Sequence, residues 1–115
     1  MAEIAHRADG PDGRVLVVVA PGVLNHENAE MLRACVERWL PNRDGAATVI
    51  DMGGVTLIST IGIAALLQVE DLCRRRGAGF VLAAVPERQR SLLKMLHLTE
   101  KFRTGATVDE ALGMV

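Results

Sequence analysis

With 115 residues the chain has the size of one domain. Its 13 Lys and Arg against 14 Asp and Glu leave a net charge of −1, which excludes the basic face of a dedicated nucleic-acid binder. Half of the residues are hydrophobic, which excludes a disordered chain, and only Trp39, Phe80 and Phe102 are aromatic, so the core must be aliphatic and no base-stacking platform exists.

Residues 3–8 are a weak strand candidate, followed by the turn-rich Asp9-Gly10-Pro11-Asp12-Gly13. Residues 14–20, rich in Val, predict a strong strand, and the two together read as a hairpin. After Pro21-Gly22 the period changes: Ala29, Leu32, Val36, Trp39 and Leu40 recur at helical spacing. Asn25 is placed to cap that helix, and residues 41–45 end it. A second strong strand spans 46–52, with Gly53-Gly54 at its carboxyl end and a short apolar connection over 55–58.

Ser59-Thr60 then opens a helix whose first three turns are apolar on all sides, which predicts burial. Arg74-Arg75-Arg76 sits in its last turn, where cations complement the helix dipole, and Gly77 can end it. Residues 79–84 form a third strong strand, and Pro86 suits the first turn of a helix through Leu96 with Arg88, Arg90 and Lys94 on its solvated side. A short edge strand is expected at 101–103, and Thr107 opens a last helix through Leu112. Strands alternating with helices imply an α/β fold, with βαβ crossovers behind an initial hairpin and hence a mixed central sheet packed by about four helices. The whole of 1–115 is read as one domain.

The apolar runs 15–20 and 61–67 are far shorter than the ~20 residues of a membrane span, and no secretory leader is visible. Cys35 and Cys73 have no C-x-x-C partner and read as buried free thiols. A cytoplasmic protein without membrane insertion is therefore expected. His6, His26 and His97 fall in separate elements without metal-ligand spacing, and there is no nucleophile elbow, phosphate loop or dinucleotide fingerprint. Neither catalytic residues, nor a metal, nor a cofactor is expected, and the chain is read as a non-enzyme.

One constellation stands out. Asp51 ends a buried strand, and a short loop leads to Ser59-Thr60 at the start of the apolar helix. A hydroxyl there serves as an N-cap, and a hydroxyl at a helix start is also a natural phosphorylation site, because the amides and dipole favour the added charge. The readings are compatible, since one hydroxyl can cap while its neighbour faces outward.

The segment Asp51-Met52-Gly53-Gly54-Val55-Thr56-Leu57-Ile58-Ser59-Thr60-Ile61-Gly62-Ile63 resembles the signature of STAS domains, the fold of bacterial anti-sigma factor antagonists. That signature runs D-L-S-x-V-x-[FY]-[IM]-[DS]-[ST]-[SA]-G-[LI]. Upstream, Gly22-Val23-Leu24-Asn25-His26-Glu27-Asn28-Ala29-Glu30-Met31-Leu32-Arg33 resembles the family's G-x-L-D-H-x-x-A-E-x-L-R, and Glu110-Ala111-Leu112 echoes its closing stretch. Departures are Thr60 for the more usual Ser, Ile61 for a small residue, Asn25 for Asp and Gly53 for Ser.

The resemblance implies a partner switch, an anti-sigma factor antagonist regulating transcription. The unphosphorylated antagonist binds an anti-sigma factor that is also a serine/threonine kinase; phosphorylation breaks the complex, and a phosphatase resets it. The phosphoacceptor falls on Thr60, with Ser59 as the alternative, and the partner surface on Asn25, Leu57, Ile58, Ser59, Thr60, Ile61 and Ile63. The alternative is a non-switching STAS module: a subunit of a phospholipid-transport ABC system, a stressosome-like scaffold or a transporter-associated domain. A weak homodimer is left open, as is small-molecule binding at helix starts near the strand ends.

Overall fold

The computed structural model describes residues 4–40 and 45–115. Of the expectations above, the beginning of the first strand at Glu3 and the helix-ending residues 41–44 lie outside the described residues.

A five-stranded sheet in the order β1-β2-β4-β6-β7 forms the centre, from β1 (His6–Asp9), β2 (Val15–Val19), β4 (Ala47–Asp51), β6 (Gly79–Ala83) and β7 (Thr104–Gly105). Strand β1 runs antiparallel to β2 through a tight turn, and the remaining neighbours are parallel. The first strand thus begins later than its pattern suggested. The sheet is mixed because of that hairpin alone.

The parallel strands are apolar on both sides because both faces are covered. Leu16, Val18, Ile50, Phe80 and Leu82 point into the main core under α1 (His26–Trp39), α2 (Thr60–Arg75) and α3 (Glu87–Met95). Their alternates Val15, Val17, Val49, Val81 and Ala83 form a smaller core against Ala111 of α4 (Val108–Met114). Cys35 and Cys73 are free thiols buried in the main core.

Three details depart from the sequence pattern. The edge strand lies at Thr104–Gly105 instead of 101–103, because Phe102 is drawn into the core beside Phe80, with ring centroids 6.0 Å apart. Pro86 precedes α3 as an extended N-cap residue and is not in its first turn. Helix α2 is also not buried all round: Ile63, Ala65, Leu66 and Val69 are covered, but Ile61 and Ala64 are exposed. Helix α2 ends at a left-handed Gly77 (φ 66°), with Arg74 and Arg75 paired to acidic residues one turn back.

Candidate functional site

The connection over 55–58 and the approach to α1 each contain a two-residue strand, β3 (Val23–Leu24) and β5 (Leu57–Ile58). They pair in parallel, Val23 beside Leu57 and Leu24 beside Ile58, apart from the main sheet. The pairing is reinforced at Gly22, whose carbonyl accepts from the Thr56 amide at 2.7 Å and the Thr56 hydroxyl at 2.9 Å. Because β3 leads into α1 and β5 into α2, this ribbon sets the two helix starts side by side.

Each start is capped by its own side chain. Asn25 Oδ1 accepts from the Asn28 amide at 3.1 Å, and Asn28 Nδ2 donates to the Val23 carbonyl at 2.6 Å. Ser59 Oγ accepts from the Gly62 amide at 3.0 Å and donates to the Leu24 carbonyl at 3.1 Å. That carbonyl also accepts from the Ser59 amide, at 3.0 Å. Both functions of the Ser59 hydroxyl are therefore occupied, and the residue is half-buried.

Thr60, the first residue of α2, is exposed, and its hydroxyl makes no hydrogen bond among the described residues. Around it the surface is apolar: Leu57 is 59% exposed, Ile61 51% and Val23, paired with Leu57, 41%. Such a grouping of large apolar side chains marks an interaction surface more often than a bare solvent face. Beyond Ile61 a cleft of about 210 Å³ continues between α1 and α2, past His26, Ala64 and Gln68.

Of the residues singled out from sequence, Asn25, Leu57, Ser59, Thr60 and Ile61 come together at this end of the molecule. Ile58 and Ile63 are brought to the same place but point inward, each 8% exposed, and support the surface from below. Asp51 acts locally, its Oδ1 accepting from the Gly53 amide at 3.0 Å and shaping the turn after β4. Val23 was not singled out. Val23 follows Pro21-Gly22 in a stretch too short to show strand alternation, and only pairing with Leu57 turns it outward.

Residues 8–111 match the family model described as the STAS domain. The chain belongs to the STAS domain family. Solved structures of similar fold include an anti-sigma factor antagonist (STAS) domain protein from Planctomyces limnophilus, at 21% identity over 97% of this chain and 96% of that one, with a TM-score of 0.81. The anti-sigma factor antagonist SpoIIAA in its unphosphorylated form matches at 15% identity over 96% of both chains, with a TM-score of 0.70. A sulfate transporter family protein from Wolinella succinogenes matches at 20% identity over 88% of this chain and 82% of that one, with a TM-score of 0.71. At such identities the likeness is one of fold. This STAS domain has, among its described residues, four α-helices and a mixed sheet, as the antagonist structures do. Among its described residues no helix is long and apolar enough to cross a membrane.

Proposed function

We propose that this STAS domain is an anti-sigma factor antagonist that works by partner switching, with Thr60 as the phosphoacceptor. The observation that carries the reading is the division of labour between neighbours: the Ser59 hydroxyl is used twice inside the fold, whereas the Thr60 hydroxyl is free at the centre of an apolar surface. Unphosphorylated, that surface, with Asn25 at its rim, binds a kinase-type anti-sigma factor in the cytoplasm of a bacterium. Phosphorylation of Thr60 releases it and a phosphatase restores it.

The magnitudes favour release without unfolding. A phosphate brings about −1.5 to −2 charges, and at a helix start this is favourable by about 0.3–1 kcal/mol. Enclosed in an apolar interface without a counter-charge, the same group costs about 3–5 kcal/mol. That weakens binding roughly a hundred- to several-thousand-fold. The penalty falls on the complex and the domain keeps its shape.

The test is to incubate the protein with ATP and the kinase-type anti-sigma factors of its host. One phosphate on Thr60, lost in Thr60→Ala but kept in Ser59→Ala, together with release of the complex, is the expected result. No uptake and no complex with any of them defeats the reading. A second reading, a STAS module that docks without a phosphorylation cycle, is favoured by the branched, exposed Ile61 beside Thr60 and by the fold shared with a transporter family protein. Capture of a transport ATPase in place of a kinase would establish it.

A further inference from the structure

At the carboxyl ends of β6 and β7 two neighbouring parallel strands send their chains to opposite faces of the sheet. Strand β6 leads into α3, whose Leu93 belongs to the main core, while β7 leads into α4, whose Ala111 belongs to the core of the other face. In open α/β sheets such a divergence leaves a crevice beyond the strand ends, and ligands bind there. A cleft of about 520 Å³ occupies the place, and a second of about 320 Å³ adjoins it between α3 and the stretch entering β7; Arg90 and Thr104 line both. Their volumes lie in the range of small-molecule sites. Ala84, in the lining of the larger, has φ 55°, a left-handed backbone rare outside glycine that recurs at ligand sites.

Among the described residues some cations are paired with acidic neighbours, and Arg38, Arg76, Arg88, Arg90, Lys94 and Arg103 have no ion-pair partner. Arg33 is paired with Glu30 and Glu37, Arg75 with Asp71, and Lys101 with Glu70. Arg90 and Lys94, one turn apart on α3 and both lining the smaller cleft, have no ion-pair or hydrogen-bond partner among the described residues. Like charges at that spacing repel and weaken a helix, so an anion between them relieves a cost already present. The hydroxyls of Ser91, Thr99 and Thr104 line the same cleft, also without internal partners among the described residues. Two cations with three hydroxyl donors suit a phosphate dianion better than the two oxygens of a carboxylate. Glu87 in the smaller cleft and Glu110 in the larger repel a polyanion and can accept from hydroxyls.

We propose that the adjoining clefts beside β7 bind a small phosphate monoester bearing hydroxyl groups, its phosphate held by Arg90 and Lys94 between α3 and the stretch entering β7. The site is independent of Thr60. The test is titration of the ¹⁵N-labelled protein, at constant ionic strength, with glycerol 3-phosphate, inorganic phosphate and succinate. Saturable shifts confined to the backbone around 84–94 and 104–110 are expected, with glycerol 3-phosphate binding tightest. Arg90→Gln and Lys94→Gln should each weaken binding about tenfold, the loss of one charge-assisted hydrogen bond. Thr60→Ala and Arg38→Gln, the latter removing a cation on α1 far from the crevice, should leave it unchanged. The same spectra show that each variant is folded. No saturation by about 10 mM, equal shifts around Arg38 and Arg76, or an unaltered Arg90→Gln overturns the site. Succinate or inorganic phosphate binding as tightly as the ester overturns the ligand class.

Discussion

A side chain at Gly62 would place its Cβ 2.5 Å from the carbonyl oxygen of Leu24, so the first turn of α2 rests directly on the backbone of β3. Glycine is required there by close approach, since no positive φ is involved. Gly62→Ala should destabilise the protein by about 1–3 kcal/mol, as overpacking of a tight contact does. Gly54→Ala, where a Cβ meets nothing within 4 Å, should change stability by less than about 0.5 kcal/mol. Urea denaturation of the two variants checks the contrast.

The hydroxyls of Ser59 and Thr60 should separate in the same measurement. Ser59→Ala removes the N-cap of α2 and should cost about 1 kcal/mol. Thr60→Ala removes no internal hydrogen bond and should stay within about 0.5 kcal/mol of the parent. Thr60→Glu should remain folded, because a negative charge in a first helical turn is mildly favourable, while losing the proposed partner.

Exposed and buried apolar residues of the surface should fail in opposite ways. Leu57→Asp and Ile61→Asp should abolish capture of the anti-sigma factor with thermal stability nearly unchanged, because both side chains already face water. Ile58→Ala and Ile63→Ala should cost about 2–5 kcal/mol of stability, the usual toll of emptying a core position. Paired binding and calorimetric melting experiments distinguish the two classes.

Alkaline pH should weaken the fold through Cys73. Burial pushes its thiol from 9.0 up to about 11, an effect that the nearby Glu70 carboxylate reinforces. Because the folded state holds the proton more tightly, this contribution is complete below about pH 9 and is lost as pH rises toward 11. The loss is on the order of 2–3 kcal/mol. The chain has no Tyr, so the window is free of phenol titration. Denaturation curves from pH 8 to 11 should fall for the parent and flatten for Cys73→Ala.

Much of this was legible in the chain because the signals were long. The Val-rich strand at Val15–Val19 and the helical spacing from Ala29 to Leu40 each repeat one pattern several times, and burial on both faces reads as unbroken hydrophobicity. The caps Asn25 and Thr107 were visible because a short polar side chain before an apolar run has a local cause, whereas at Ser59-Thr60 the pattern showed a capping hydroxyl but not which of the two. The ribbon of β3 and β5 was not, since two residues per strand carry no period and their pairing spans more than thirty positions. Nor could spacing tell that Ile61 faces out while Ile63 faces in, because that depends on where α1 ends its cover. The crevice at β6 and β7 stayed hidden for a similar reason: it arises from which face each helix takes.

The ribbon itself bears on what a partner can perceive. The Thr56 hydroxyl bond to Gly22 and the Ser59 hydroxyl bond to Leu24 close loops of 34 and 35 residues. Neither two-residue strand can hold itself extended alone, so the surface is a discontinuous epitope that exists only when the intervening helix and strand are in place. A peptide copied from either half should be inert. A nicked or half-unfolded copy would fall silent and would not signal weakly, so recognition at this surface doubles as a check that the whole domain is intact.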